Sequence, residues 1–335
     1  MRFYSYIWAS KTMSILLIKL PHTGPQRLPF YLAAEEWIAR NLPSGEYFFA
    51  WQVAPTVICG RHQDAACEID LGYCVAHNIE VYRRKSGGGA VYADMNNIMF
   101  SYVGPAASIE NAFARYTSRV ADALRTLGLD AATSGRNDIV VDGRKVAGNA
   151  YWRCGDRCIV HGTMLYDADE STMSRALTPS RAKLMSHKVV SVQSRITTVI
   201  SRLPGLSINE FLDRMLSHVC DGEAEIPSTA LPEIRAIEKE YYAETFSSVA
   251  HGSRGIRITG VGDININVVL FGDVIDEVRL SGDFFSGQDV SRTLERLRGL
   301  PCREEAIAGA LGKETIISSL DNSVLAGMIA AGHKI

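Results

Sequence analysis

The chain has no excess of either charge. Its 335 residues carry 35 Lys plus Arg against 37 Asp plus Glu, a formal net charge of −2. That balance announces no nucleic-acid partner and no anionic membrane surface. It also has no apolar stretch approaching the length of a membrane span. Near the start, Phe3 to Trp8 and Ile15 to Ile18 are apolar, but Lys11 and Lys19 interrupt them. No small-residue cleavage site follows, so a signal peptide is not expected. Seven cysteines are an odd number without a paired framework. Cys154 and Cys158 are the nearest pair, and no second pair follows at zinc spacing. A disulfide scaffold is thereby excluded and a reducing cytoplasm is the expected setting. Familiar catalytic signatures are missing too. There is no His-Glu-x-x-His and no Gly-x-Ser-x-Gly. Gly260-Val261-Gly262 lacks the third glycine of a dinucleotide fingerprint. Gly309 to Glu314 has the wrong spacing for a P-loop and Glu314 where a hydroxyl is needed.

What the chain does have is Arg83-Arg84-Lys85-Ser86-Gly87-Gly88-Gly89-Ala90-Val91-Tyr92. Consecutive glycines weaken a strand or helix, so they belong where backbone approaches a ligand or takes positive φ. Strand-like residues precede them (Ile79 to Tyr82) and follow them (Ala90 to Tyr92). With Arg83, Arg84, Lys85 and Ser86 on its lip, the loop reads as an anion site, most simply for phosphate. On the loop alone, a plain glycine turn with surface charges fits as well.

A second cluster runs Ser134-Gly135-Arg136-Asn137-Asp138, then Asp142-Gly143-Arg144-Lys145-Val146-Ala147-Gly148-Asn149. Lys145 follows a tight-hairpin signal, Asp142-Gly143. Its ammonium suits phosphate or carboxylate oxygens, and Asp138 suits magnesium. Taken singly, a solvated lysine and a turn aspartate are the plainer reading. His161-Gly162-Thr163 forms the third cluster, where a packed strand histidine is the plain alternative.

Strands are expected at 14–20, 47–53, 56–59, 79–82, 90–92, 97–103, 138–141, 145–152 and 158–166. Helices are expected at 32–39, 68–77, 108–128, 208–220 and 232–242, with Ser207 as a cap. Strands outnumber helices and alternate irregularly with them, which predicts a mixed α/β sheet. From about Gly252 three strands in meander and closing helices predict a small α+β domain. The expected division is an N-terminal extension at 1–13, a large domain over 14–248 and a small one over 249–335.

Taken in order, these clusters resemble the ATP-dependent lipoate–protein ligase family. Leu32-Ala33-Ala34-Glu35-Glu36 looks like its first-helix motif, and Gly60-Arg61-His62-Gln63 like its strand-ending Gly-Arg-x-Gln. The glycine loop is its most specific signature. Gly135-Arg136-Asn137-Asp138, Lys145 to Ala150 and His161-Gly162-Thr163 complete it, with Gly282-Asp283-Phe284-Phe285 in the small domain. Ala93, Asn96 and Val160 depart from the usual residues.

The resemblance implies a fold of class α/β (α+β). A large mixed-sheet domain of biotin/lipoate-ligase type would carry a small C-terminal α+β accessory domain. It implies activation of lipoate by ATP to lipoyl-AMP and pyrophosphate, with Mg2+. The lipoyl group would then pass to a lysine of lipoyl carrier domains, those of 2-oxoacid dehydrogenase E2 subunits and of glycine cleavage H protein. Lys145 would be catalytic. ATP and lipoyl-AMP would meet Arg84, Ser86, Gly87, Gly88, Gly89, Ala90, Val91, Tyr92, Asn137, Asp138 and Lys145. Lipoate would meet Arg84, Lys145, Gly148 and His161, and Asp138 would hold the metal. A cytoplasmic monomer is expected.

Two other readings remain. One is an octanoyl or lipoyl amidotransferase working through a cysteine thioester. The other is a non-catalytic lipoyl-carrier-binding protein. The stretch 131–138, where cysteine-dependent relatives place their nucleophile, has no cysteine here. Cys154 and Cys158 flank an expected hairpin turn. Cys59, Cys67, Cys74, Cys220 and Cys302 are expected to be buried.

Overall fold

The computed structural model describes residues 14–21, 24–178, 195–243 and 254–332. The expected extension at 1–13 and the division at 248/249 lie outside the described residues.

An eight-stranded mixed sheet organises the larger part. Its strands are β1 (Ile15–Lys19), β2 (Glu46–Trp51), β6 (Ile98–Pro105), β7 (Ala131–Ser134), β8 (Asp138–Val141), β9 (Arg144–Cys154), β10 (Arg157–Met164) and β11 (Gly222–Glu225). Their order is β11-β1-β2-β6-β10-β9-β8-β7. β1 runs parallel to both its neighbours, and the other pairs are antiparallel. Both faces are covered, so residues of one strand serve two cores in alternation. Along β6, Ile98, Phe100 and Tyr102 enter one core, while Met99 and Val103 enter the other.

Helix α1 (Leu28–Asn41) closes one face, with Pro29 in its first turn and residues Leu28 to Ala39 all buried. A helix buried all round needs cover on its outer side as well. A late helix, Leu231–Ala243, supplies Ile234, Ile237 and Tyr241 to that core. α4 (Ile109–Thr126) closes the other face through Phe113, Tyr116, Val120 and Leu124. Ser108 caps it by accepting from the Asn111 N–H. Gly128, at φ +86°, ends it.

A small three-stranded sheet, β4-β3-β5, sits beside the large one. Its strands are β3 (Thr56–Cys59), β4 (Glu80–Arg83) and β5 (Val91–Ala93). β2 and β3 are close in sequence around Pro55 yet belong to different sheets. The helix expected at 68–77 is two short ones, α2 (Ala65–Glu68) and α3 (Leu71–Ala76). Asp70 breaks the run because its carboxylate caps the second by accepting from the Tyr73 N–H. The edge strands β7 and β11 lack an apolar pattern and were not expected.

The C-terminal region is small and α+β. β12 (Arg254–Ile258), β13 (Gly262–Phe271) and β14 (Val274–Gly282) form the meander. Three helices, Val290–Leu294, Glu304–Leu311 and Asn322–Gly332, close a separate core with Ile264, Ile266, Leu325 and Ile329.

Candidate active site

The glycine loop crosses over the end of β3, because β4 and β5 flank that strand on opposite sides. At the crossing, a Cβ on Gly60 would stand 1.9 Å from the Gly88 carbonyl oxygen. Gly88 itself sits at φ +89°. The four polar residues expected on the lip point into the protein instead. Arg83 donates to the carbonyls of Gly60 and Gln63, each at 2.8 Å. Lys85 reaches Glu36 and Glu240, each at 2.8 Å. Arg84 is 4% exposed and lies behind the loop. It donates to Ile58 O at 2.9 Å, Gly87 O at 2.7 Å and Gly89 O at 2.8 Å. Of the loop's own N–H groups, that of Gly88 donates to Phe284 O at 3.2 Å. Arg84 therefore braces the loop from behind. Burial lowers its guanidinium to about 10, still charged at neutral pH. Ser86 is buried and its Oγ lies 2.7 Å from His161 Nε2.

At the second cluster, Asp142 and Gly143 take φ of 49° and 73°, a tight turn that starts β9. Lys145 folds back across Gly148, whose missing Cβ would stand 2.3 Å from Nζ. It meets Asp138 Oδ1 at 2.8 Å, and Arg195 meets Asp138 Oδ2 at 2.5 Å. Asn137 and Asn149 exchange side-chain amides for each other's carbonyls, at 2.5 and 2.7 Å, and stitch β8 to β9. The magnesium expected on Asp138 does not fit this arrangement, since each carboxylate oxygen already faces a cation. Among the described residues no three His, Cys, Asp or Glu side chains group as metal ligands.

A cavity of about 520 Å³ joins these parts. Leu32, Trp51, Ile58 and Met99 give it an apolar region, and Lys145, Asp138 and Arg195 a charged one. Trp51 and Met99 are paired on β2 and β6, whereas Asp138 and Lys145 are on β8 and β9. β2 and β8 stand four strands apart, roughly 19 Å at the usual spacing. The lining has six strong cations, Arg84, Arg136, Arg144, Lys145, Arg195 and Arg257, against two carboxylates, Asp138 and Asp283. It suits a long ligand that is apolar at one end and anionic at the other.

Of the expected residues, Arg84, Gly88, Gly89, Ala90, Val91, Asn137, Asp138, Lys145, Gly148 and His161 all line the cavity. Ser86, Gly87 and Tyr92 do not. Gly87 packs on the C-terminal region, where a Cβ would stand 2.5 Å from Phe284 O. Tyr92 turns into the core below the small sheet.

Sequence reasoning gave no role to Arg136, Arg144, Arg195, Arg257 or Asp283. Arg136, Arg144 and Asp283 sit within or beside recognised motifs. Arg195 and Arg257 carry no local signal. Arg136 lies 4.2 Å from the Phe285 ring centre and donates to Val261 O at 2.9 Å. Burial lowers it, too, to about 10.

No cysteine lines the cavity. Cys154 and Cys158 are buried rather than at a free turn, and burial raises both thiols above their ordinary value. Cys59 and Cys74 are buried as expected, but Cys67 is exposed and Cys220 and Cys302 are half-buried. A thioester mechanism needs an activated thiolate at the site, and the cavity offers none.

Residues 28–220 match the family model of the lipoyl protein ligase A/B catalytic domain. The chain belongs to the lipoate–protein ligase family. Residues 252–329 match the family model of the bacterial lipoate protein ligase C-terminus. The chain is 32% identical over 305 residues to the probable lipoate-protein ligase A of Mycoplasma pneumoniae, covering 87% of this chain and 90% of that one. It shares its fold with P. falciparum LipL1, solved in complex with lipoate, at a TM-score of 0.73 and 17% identity, covering 95% and 98% of the two chains. A bipartite lipoate protein ligase from Thermoplasma acidophilum, described with its E2 lipoyl domain, aligns at a TM-score of 0.58 and 25% identity over 70% of this chain and 94% of that one.

Proposed function

We propose that this chain activates lipoate with ATP and transfers the lipoyl group to a lysine of a carrier domain. The observation that carries this reading is the cavity. Its apolar region at Trp51 and Met99 and its cationic region at Lys145, Arg195 and Arg136 share one cavity with the glycine loop.

Lipoate lies with its tail towards Trp51 and its carboxylate towards Lys145. The nucleotide phosphates lie beneath Gly88, Gly89, Ala90 and Val91. A carboxylate oxygen attacks the α-phosphorus. That O–P bond forms as the bond to the β-phosphate breaks, and pyrophosphate leaves. Two anions repel on approach, so Lys145 lowers the barrier by neutralising both while holding them in line. Asp138 and Arg195 fix the ammonium before the substrates arrive. In the second step a carrier lysine's neutral amine attacks the acyl carbon. A C–N bond forms, the bond to AMP breaks, and the nitrogen loses a proton. Magnesium would accompany the nucleotide and neutralise phosphate charge.

The carriers we infer are the lipoyl domains of 2-oxoacid dehydrogenase E2 subunits and glycine cleavage H protein. The Thermoplasma relative's E2 lipoyl domain supports that class. Seven unpaired cysteines support a reducing, cytoplasmic setting, and we take the acting form to be a monomer. Incubation with ATP, magnesium, lipoate and a lipoyl domain tests the reading by mass spectrometry. Lipoyl-AMP and a lipoylated lysine are expected. Modification of the carrier without ATP, or no adenylate, would overturn it.

A further inference from the structure

Helix α1 places two adjacent carboxylates in the interior, Glu35 at 2% exposure and Glu36 at 0%. Glu36 is paired with Arg40 and Lys85. Among the described residues Glu35 has no Lys or Arg ion pair. Its oxygens accept from Ser101 Oγ at 2.5 Å and meet His161 Nδ1 at 2.8 Å. The other ring nitrogen of His161, Nε2, lies 2.7 Å from Ser86 Oγ. Ser101 in turn accepts from Trp51 Nε1 at 2.8 Å.

A buried carboxylate beside Nδ1 keeps a proton on that nitrogen. In the neutral ring Nε2 is then left to accept, and the Ser86 hydroxyl donates to it. The order Glu-His-Ser is that of a hydrolytic triad, but Ser86 is 1% exposed and does not line the cavity. Its hydroxyl is out of a substrate's reach, so the array acts as a strut. Ser86 is the residue from which the chain turns into Gly87, Gly88 and Gly89. Its carbonyl also accepts from the Arg61 N–H at 2.9 Å.

We infer that Glu35 is a positioning residue for the nucleotide loop: through His161 it fixes Ser86 and with it the direction of the glycine N–H groups. This rests on the proposed function for the loop's part in ATP binding, while the hydrogen-bond array stands without it. Low dielectric makes such a buried chain stiff when every member is satisfied, and loose when one is lost.

The test is a double-mutant cycle on pyrophosphate release, with Glu35→Gln, Ser86→Ala and both together. Each single change should raise KM for ATP about tenfold, the effect of losing one charged or buried hydrogen bond. The double variant should be no worse than the poorer single. In parallel, nitrogen NMR of histidine-labelled protein should show His161 protonated on Nδ1 in the wild type, with that preference lost in Glu35→Gln. Multiplying effects in the double variant, or an unchanged His161 signal in Glu35→Gln, overturns the strut. If Glu35→Gln does not fold, Ser86→Ala decides alone: ATP KM within twofold of wild type removes the inference. Wild type releasing no pyrophosphate would sink the proposed function instead, and the histidine signal would still judge the strut.

Discussion

The two walls of the cavity are built by opposite means. One wall is the large sheet, where β10 is bonded along eight residue pairs to each neighbour and presents His161, Gly162 and Thr163 from fixed register. The other belongs to the C-terminal region and rests on a few points. Gly88 N–H donates to Phe284 O at 3.2 Å, and Gly282 N–H to His62 O at 2.7 Å. The Phe284 ring stacks on His62, and Phe285 enters the large core against Phe113 and Arg136. Ser318 donates to Glu110 at 2.9 Å. A ladder of backbone bonds resists small shifts. A handful of isolated contacts, two of them backbone hydrogen bonds, can be released together. Reacting groups therefore belong on the first wall, and the second suits a part that closes or orders the site.

The sharpest test of that division is Lys145→Met. Pyrophosphate release should fall by about a thousandfold or more, since a preorganised cation at the reacting oxygens is lost. The melting temperature should fall only modestly, because methionine keeps the stem over Gly148 and Arg195 still faces Asp138. Near-normal release would remove the sheet wall from the chemistry. Next comes removal of residues 252–335. The remaining domain should stay soluble and transfer from preformed lipoyl-AMP, with activation of free lipoate impaired. A truncated chain that activates at full rate would show that the second wall plays no part.

A smaller effect probes the contact itself. Burial, with Arg61 and Arg83 nearby, pulls His62 down to about 4 from 6.5. An unfolded chain takes up that proton first, so His62 contributes no penalty above about pH 6.5. Stability then falls as pH drops towards 4. His62→Phe should flatten the loss of melting temperature between pH 7 and pH 5. Identical slopes in wild type and variant would mean the stacked ring does not titrate as described. Smallest of all, Cys154→Ser with Cys158→Ser should leave carrier lipoylation within about threefold, as changes away from the reacting groups usually do. Loss of transfer would reopen the thioester reading.

Much of the sheet wall was legible because its signals are local. Asp142-Gly143 announced the hairpin that carries Lys145, and Ser207 capped its helix as its spacing implied, accepting from the Glu210 N–H. Direction was not legible. A sequence shows that Arg84 and Ser86 are polar, not that one faces carbonyls behind the loop and the other a histidine 75 residues away. The pairing of β2 and β3 into separate sheets is likewise a long-range choice. β11 has the pattern Gly222-Glu223-Ala224-Glu225, too polar to signal a strand, and forms because β1 offers it an open edge. Arg136 was quoted within a motif, yet its carbonyl partner at Val261 lies 125 residues on.

The Gly88 N–H has one hydrogen, and in this structure the Phe284 carbonyl holds it. A phosphate oxygen that claims the same hydrogen competes with the second wall. By reciprocity, whatever strengthens the wall's hold weakens that phosphate contact by the same factor, and the phosphate loosens the wall in return. The Gly88 N–H can thus serve the Phe284 carbonyl or a phosphate oxygen, and not both at full strength.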